Sequence, residues 1–214
     1  MKIKELLKVS VEELKKFEIE DASLKAKILL SEVLGKGKEY LLIHDNDELN
    51  SEIVDVYNKM IERVKNGEPI QYILNKQEFM GLNFYVDKNV LIPQPDTENL
   101  VEEVIAISED IKKTKNEIRI LDMCTGSGAI AISLSKFVEN SIVCASDTSE
   151  GALKVAKENA IKNLVNVEFY KSDIFQDISN VVKFDIIVSN PPYIETKVIK
   201  ELSKEVRSEP ELAL

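Results

Sequence analysis

Hydrophobic positions fall into two regimes along this chain. Up to residue 75 they recur at helical intervals, and beyond Lys112 they gather in short runs separated by amphipathic stretches. In the first regime, Ser10 and Glu13 stand at capping-box spacing ahead of LKKF, which predicts a helix start there. Asp21 opens a second helix, on which Ala22, Leu24, Ile28, Leu29, Val33 and Leu34 line up, and Gly35 stands where a C-terminal cap belongs. A short helix is expected around KEYLLIH. A longer one over 51–65 carries Val54, Tyr57, Met60, Ile61 and Val64 on one stripe and ends at Asn66-Gly67. This part reads as a small helical bundle with no chemistry on its face.

The pattern changes over 77–91, where QEFMGLNFYVDKNVL is rich in aromatics and Val and carries Gly81 and Asp87-Lys88-Asn89 as turn signals, predicting a β-hairpin. IPQPDTE is a proline-punctuated entry to the helix TENLVEEVIAISEDI. Then strand and helix patterns alternate: EIRILDM, SGAIAISLSKFV, SIVCASD, SEGALKVAKENAIKN, VEFYKSD and FDIIVSN. Alternation of this kind implies βαβ units and a parallel sheet covered on both faces.

Charge narrows the possible partners. The 214 residues carry a formal net charge of -10, which disfavours a duplex-DNA or anionic-membrane partner. No stretch approaches the roughly 20 apolar residues of a membrane span, and the charged N-terminus does not read as a signal peptide. The two cysteines, Cys124 and Cys144, lie in apolar surroundings and are expected to be buried, reduced thiols. These features predict a soluble cytoplasmic protein. His44 is the only histidine and is expected to be structural or solvent-facing. No Cys/His spacing suggests a metal site.

Four stretches carry chemistry. In ILDMCTGSGAIAISL an acidic residue ends a strand and a glycine turn leads into a helix. Gly126 and Gly128 there let backbone amides approach a ligand, although a G-S-G alone also marks an ordinary tight turn. The dinucleotide fingerprint is not met, since Ala131 stands three places after Gly128. Asp147 ends the next strand about twenty residues on, where a carboxylate accepts bonds from ribose hydroxyls; Asp147 or Thr148 is also a candidate helix cap. Asp173-Ile174-Phe175 follows the third strand, placed either to hold an adenine ring or to make a plain turn. Asn190-Pro191-Pro192-Tyr193 follows the fourth. Its prolines offer carbonyl acceptors and no donors, so with the Asn190 side-chain oxygen it suits a planar –NH2 group.

In this order the four features resemble class I S-adenosylmethionine-dependent methyltransferases, and N-P-P-Y is similar to the motif of those that methylate nitrogens conjugated to π-systems. EPIQYILNKQEFMGLNFYVDKNVLIPQPDTENLVE and DMCTGSGAIAI resemble the peptide chain release factor glutamine methyltransferases, the PrmC/HemK family. The likeness covers roughly Asp21 to Leu214 and is most specific from Glu68 to Tyr193. It implies an α/β, Rossmann-like catalytic domain over 93–214, a β-hairpin linker over 76–92 and a substrate-recognising all-α bundle over 1–75. It implies S-adenosylmethionine as cofactor, held by Asp122, Met123, Cys124, Thr125, Gly126, Gly128, Asp147, Asp173, Ile174 and Asn190. Asn190, Pro191, Pro192 and Tyr193 are the implied catalytic residues, peptide chain release factors the implied partners, and neither nucleic acid nor membrane is implied.

Departures from the family pattern are visible. Gln94 stands where the family usually has Arg, and Cys124 where it usually has Gly, so Cys124 must keep a negative φ or accept strain. Only four catalytic-domain strands are legible, which predicts a fragment with exposed apolar sheet surface. Rival readings are a ribosomal-protein glutamine methyltransferase, an adenine-N6 nucleic-acid methyltransferase and a non-catalytic protein-binding module. A nicotinamide dehydrogenase is disfavoured by the missing third glycine.

Overall fold

The computed structural model describes residues 1–178 and 183–214, which divide into two compact units. The first comprises Met1–Leu74 with Ser203–Ser208, and the second Asn75–Leu202 with Glu209–Leu214.

The first unit is helical: α1 (Ile3–Lys16), α2 (Ala22–Leu34), α3 (Lys38–Ile43), α4 (Ser51–Lys65) and α5 (Ile70–Leu74). Its core joins Ile3, Leu6 and Leu14 of α1 to Leu29 and Leu30 of α2 and to Tyr57 and Ile61 of α4. The Asn50 side chain caps α4 by accepting from the Ile53 N–H at 2.8 Å. Two expectations are corrected. Ser10 does not start α1; it is buried mid-helix, and its hydroxyl donates to the Leu6 carbonyl at 2.9 Å. The helix begins earlier because Glu5 accepts from the Lys2 N–H at 3.0 Å. In α2 the buried face holds Ala22, Ala26, Leu29 and Leu30, while Leu24 is exposed. The Tyr57 hydroxyl donates to the Ala26 carbonyl at 3.3 Å and ties α4 to α2. Segment 203–208 joins this unit through the Lys25–Glu205 ion pair (2.7 Å) and the Ser208 hydroxyl, which donates to the Gly67 carbonyl at 3.0 Å.

The second unit opens with a hairpin of β1 (Gln77–Phe79) and β2 (Leu82–Phe84), shorter than the sequence suggests. Met80 and Gly81 both take positive φ (+51° and +69°), as a two-residue hairpin turn of matching twist requires. Then come α6 (Asp96–Lys112), β3 (Ile118–Met123), α7 (Ala129–Phe137), β4 (Ser141–Asp147), α8 (Glu150–Lys162), β5 (Glu168–Lys171), β6 (Ile186–Ser189) and α9 (Thr196–Ile199), with 3-10 turns at Val206–Ser208 and Glu211–Ala213. The sheet is parallel in the order β5-β4-β3-β6, with Leu121 opposite both Cys144 and Ile187.

The two faces of the sheet are covered unequally by the described residues. Buried residues of α6, α7 and α8, with Phe79 and Phe84 of the hairpin, all join the cluster under Ile118, Ile120, Val143, Ala145 and Val188, on one face. Among the described residues, the cluster on the other face is smaller: Leu121, Cys144 and Ile178, flanked by Met123, Ile142, Tyr170 and Phe184, and Ile187 is 49% exposed there. Strand order explains this. The crossovers β3→β4→β5 advance in one direction, and right-handedness puts both their helices on the same side. The connection back to β6 runs the other way, and its described residues contain no helix. Between β3 and β6 the strand order therefore reverses, and a crevice opens at the strands' C-terminal ends.

Candidate active site

A cavity of about 730 Å³ fills that crevice, within the usual range of small-molecule sites. Its first wall is the turn between β3 and α7. Thr125 N–H donates to the Ser146 carbonyl at 3.0 Å and Gly128 N–H to the Thr125 carbonyl at 2.8 Å, which folds the turn back over the strand ends. Gly126 has φ +54°, and a β-carbon there would meet nothing within 4 Å, so its bare backbone faces open space that a ligand can enter. Gly128 plays a different part. It is absent from the cavity wall; with φ +82°, a β-carbon would come within 2.9 Å of Ile132 Cδ1 and 3.1 Å of Ala156 Cβ. It is small so that α7 and α8 can pack closely.

Cys124 corrects the expectation of a buried thiol and resolves the alternatives for its backbone. It is exposed on the cavity wall, and its φ is +60°, so it accepts the strained conformation. Partial desolvation, reinforced by the carboxylates of Asp147, Asp122 and Asp173 against the contact with Ser189, holds its thiol above the ordinary value. Cys144 is buried, as expected, and both cysteines are free.

Asp122 lies behind this wall, fully buried. Its Oδ2 accepts from Thr125 Oγ1 at 2.6 Å and from the Ala131 N–H at 3.2 Å, while Oδ1 is buried with no hydrogen-bond partner among the described residues. Burial pushes its carboxyl up to about 7, against the opposing effect of those two bonds. It thus braces the turn from beneath.

The second wall is the end of β4. Asp147 Oδ2 accepts from the Gly126 N–H and Oδ1 from the Ser149 N–H, both at 2.9 Å. The cap of α8 is neither Asp147 nor Thr148 but Ser149, whose hydroxyl accepts from the Ala152 N–H at 3.1 Å. Asp147 is left as a fixed, partly exposed carboxylate with lone pairs to spare for hydroxyl groups. Ser172, Asp173 and Ile174 continue this wall, with Ile174 at φ +51° and 57% exposed.

Opposite them, Ser189 donates its hydroxyl to the Met123 carbonyl at 2.8 Å and seats the end of β6 against β3. Asn190, partly buried, and Pro191 and Pro192 line the cavity; Tyr193 is 81% exposed and does not. The cavity thus brings together Met123, Cys124, Thr125, Gly126, Asp147, Asp173, Ile174, Asn190, Pro191 and Pro192, while Asp122, Gly128 and Tyr193 stand outside its lining. Pro93, Gln94 and Thr97 line it as well, and Gln94 Nε2 donates to the Ile92 carbonyl at 3.0 Å.

One positioning residue escapes any motif. Asn159, buried on α8, accepts from the Tyr85 N–H at 2.7 Å and donates to the carbonyls of Tyr85 and Ser127, each at 2.9 Å. It ties the segment after the hairpin to the glycine turn. His44, far from this chemistry in sequence, stacks on Tyr40 and contacts Asp47 at 2.9 Å within the helical unit.

The donor set fits S-adenosylmethionine: an open glycine backbone, a carboxylate set for hydroxyls, and an acidic-apolar pair, Asp173 and Ile174, on the same lining. The chain is also similar to known proteins. The "PrmC N-terminal domain" family matches residues 5–74 and the "Methyltransferase small domain" family residues 106–207. A release factor glutamine methyltransferase of Buchnera aphidicola is 44% identical over 91% of this chain and 69% of its own length. Those of Leptospira interrogans and Clostridium botulinum are 42% and 40% identical, covering 98% and 97% of this chain and each 73% of their own length. Among solved structures, the Thermus thermophilus 16S rRNA N2 G1207 methyltransferase aligns with a TM-score of 0.46 over 56% of this chain and 33% of that chain, at 20% identity.

Proposed function

Because this chain belongs to the release factor glutamine methyltransferase family, we propose that it transfers a methyl group from S-adenosylmethionine to the side-chain amide nitrogen of a release-factor glutamine, the one in the Gly-Gly-Gln motif. The observation that supports this most directly is the pairing across one cavity of Asn190-Pro191 with the Gly126–Asp147 wall.

When bound, the cofactor supplies an electrophilic methyl on a sulfonium. Asp147 would accept its ribose hydroxyls, and Asp173 with Ile174 would border its adenine. An amide nitrogen is a poor nucleophile because its lone pair is delocalised, so the slot must orient it. The Asn190 side-chain oxygen and the Pro191 carbonyl accept the two N–H bonds of the substrate carboxamide and aim the nitrogen along the line of attack. The same acceptors stabilise the positive charge that grows on it. The nitrogen keeps its protons until after transfer, so the slot needs no strong base. In this reading the helical domain, 1–75, grips the folded substrate, and the enzyme works in the cytoplasm where translation terminates.

Asn190→Ala tests the reading. Methyl transfer to a release factor should fall in kcat by about a hundredfold or more, the roughly 2.7–4 kcal/mol typical of a lost transition-state partner. The fold should survive. A wild-type rate in that variant would make Asn190 a turn residue. Preferential methylation of duplex DNA would refute the protein substrate.

A further inference from the structure

The acceptor end of the cavity has a wall that the mechanism above does not use. Segment Glu209–Leu214 returns across the second unit, and its Pro210, Leu212 and Ala213 line the cavity. It is tied at two points. At its start, Glu209 Oε2 accepts from the Ile92 N–H at 2.9 Å. At its end, the Leu214 carbonyl accepts from the N–H groups of Tyr193 (3.1 Å) and Ile194 (2.7 Å), immediately past Pro191 and Pro192. The 3-10 turn between, closed by Ala213 N–H on the Pro210 carbonyl at 2.8 Å, stiffens the span.

The first tie matters most. Ile92 is buried, and its peptide is held on both sides: the N–H by Glu209 and the carbonyl by Gln94. The next two residues, Pro93 and Gln94, are themselves cavity lining. One carboxylate therefore sets the distance between two walls, the Pro93-Gln94 turn and the Pro210–Ala213 strap. A hydrogen bond to a charged acceptor is among the stronger ones available for such a task.

We propose that Glu209 is a positioning residue: by anchoring the strap to Ile92 it holds Leu212 and Ala213 as the wall that shapes the acceptor slot beside Asn190 and selects an uncharged carboxamide. This rests on the methyltransferase reading above. Glu209 is not among the cavity-lining residues, so it acts through the wall. The wall it holds is uncharged: Pro93, Gln94, Pro210, Leu212 and Ala213 line the same cavity as Asn190, Pro191 and Pro192, and the charged lining residues are Lys88, Asp147 and Asp173. A carboxylate side chain entering this slot would lose water and gain no cationic partner from these residues, whereas a carboxamide loses less and finds two acceptors.

The test uses the full-length protein, comparing Glu209→Ala, Glu209→Gln and Leu212→Asp with wild type. Glu209→Ala should raise KM for a release factor at least tenfold, with a smaller fall in kcat, while S-adenosylmethionine affinity by calorimetry changes less than twofold. Glu209→Gln, which keeps an acceptor oxygen, should restore most of the lost KM. Leu212 is 67% exposed, so Leu212→Asp should fold, and its charge should depress methylation at unchanged cofactor affinity. Independently of any substrate, amide hydrogen exchange at Ile92 should speed up in Glu209→Ala. Unchanged KM and unchanged exchange in Glu209→Ala, or an equal loss of cofactor and substrate affinity, would overturn the proposal. Failure of the wild-type protein to methylate a release factor would sink the functional reading instead, and exchange at Ile92 would still decide whether Glu209 is the anchor.

Discussion

Gly126 donates its backbone N–H to the Asp147 carboxylate across 2.9 Å, so the glycine turn and the end of the neighbouring strand form a single edge of the cavity. The same carboxylate holds Ser149 and with it the start of α8. Asp147→Ala removes both ties along with the acceptor offered to a ligand. Affinity for S-adenosylmethionine should weaken by about 1–3 kcal/mol, the cost of leaving partly buried polar groups unpaired. Calorimetry that finds no change would take Asp147 out of the site.

Asp122 gives the fold a pH dependence. Burial raises its carboxyl from the ordinary 3.8 to about 7; the groups facing it are Thr125 Oγ1, the Ala131 N–H and, with the same charge, Asp147. Between these values the folded chain holds a proton that the unfolded chain has released. Its stabilising contribution is complete below 3.8 and is lost as pH rises through about 7. Asp122→Asn should flatten that slope and be about 1–3 kcal/mol more stable than wild type above pH 7. Thermal unfolding followed across this interval would show it, and an unaltered slope would assign the dependence elsewhere.

Cys124 sits at φ +60° where only glycine is free of strain. Cys124→Gly relieves the backbone but loosens the unfolded chain, leaving a net gain of about 0.5–1 kcal/mol. Cys124→Val, branched at Cβ, should lose stability. Denaturant midpoints in the reverse order would contradict the geometry of this turn.

The close approach at Gly128 permits no side chain. Gly128→Ala brings a methyl within 2.9 Å of Ile132 Cδ1 at a φ of +82°. A loss of about 1–3 kcal/mol should follow from crowding and backbone strain together. A silent substitution, judged by urea unfolding, would mean that α7 and α8 have room between them.

Much of this architecture was legible in the sequence because period and punctuation agreed. Residues 51–65 carry a stripe and end at Asn66-Gly67, and α4 spans Ser51–Lys65. The glycine turn, Asp147 and Asn190 could be read because a parallel sheet brings the ends of its strands to one crevice. What was not legible depends on partners distant in sequence. Ser10 has the spacing of a cap, yet its hydroxyl finds the Leu6 carbonyl inside the helix. Helix α5 is only five residues long, too short for a hydrophobic period to declare itself. Asn159 and Glu209 belong to no motif, since their meaning lies in backbone groups 74 and 117 positions away. The unequal cover of the sheet's two faces likewise follows from strand order, which alternation alone does not give.

Asn159 has a mechanical consequence. Tyr85 lies outside the strands, and its N–H and carbonyl both pair with this one carboxamide, which also grips Ser127. The side chain works as a rivet between α8, the post-hairpin segment and the glycine turn, so those three should move as one plate. The rivet's bonds do not reach the lining residues Ile174 and Leu212, which are 57% and 67% exposed.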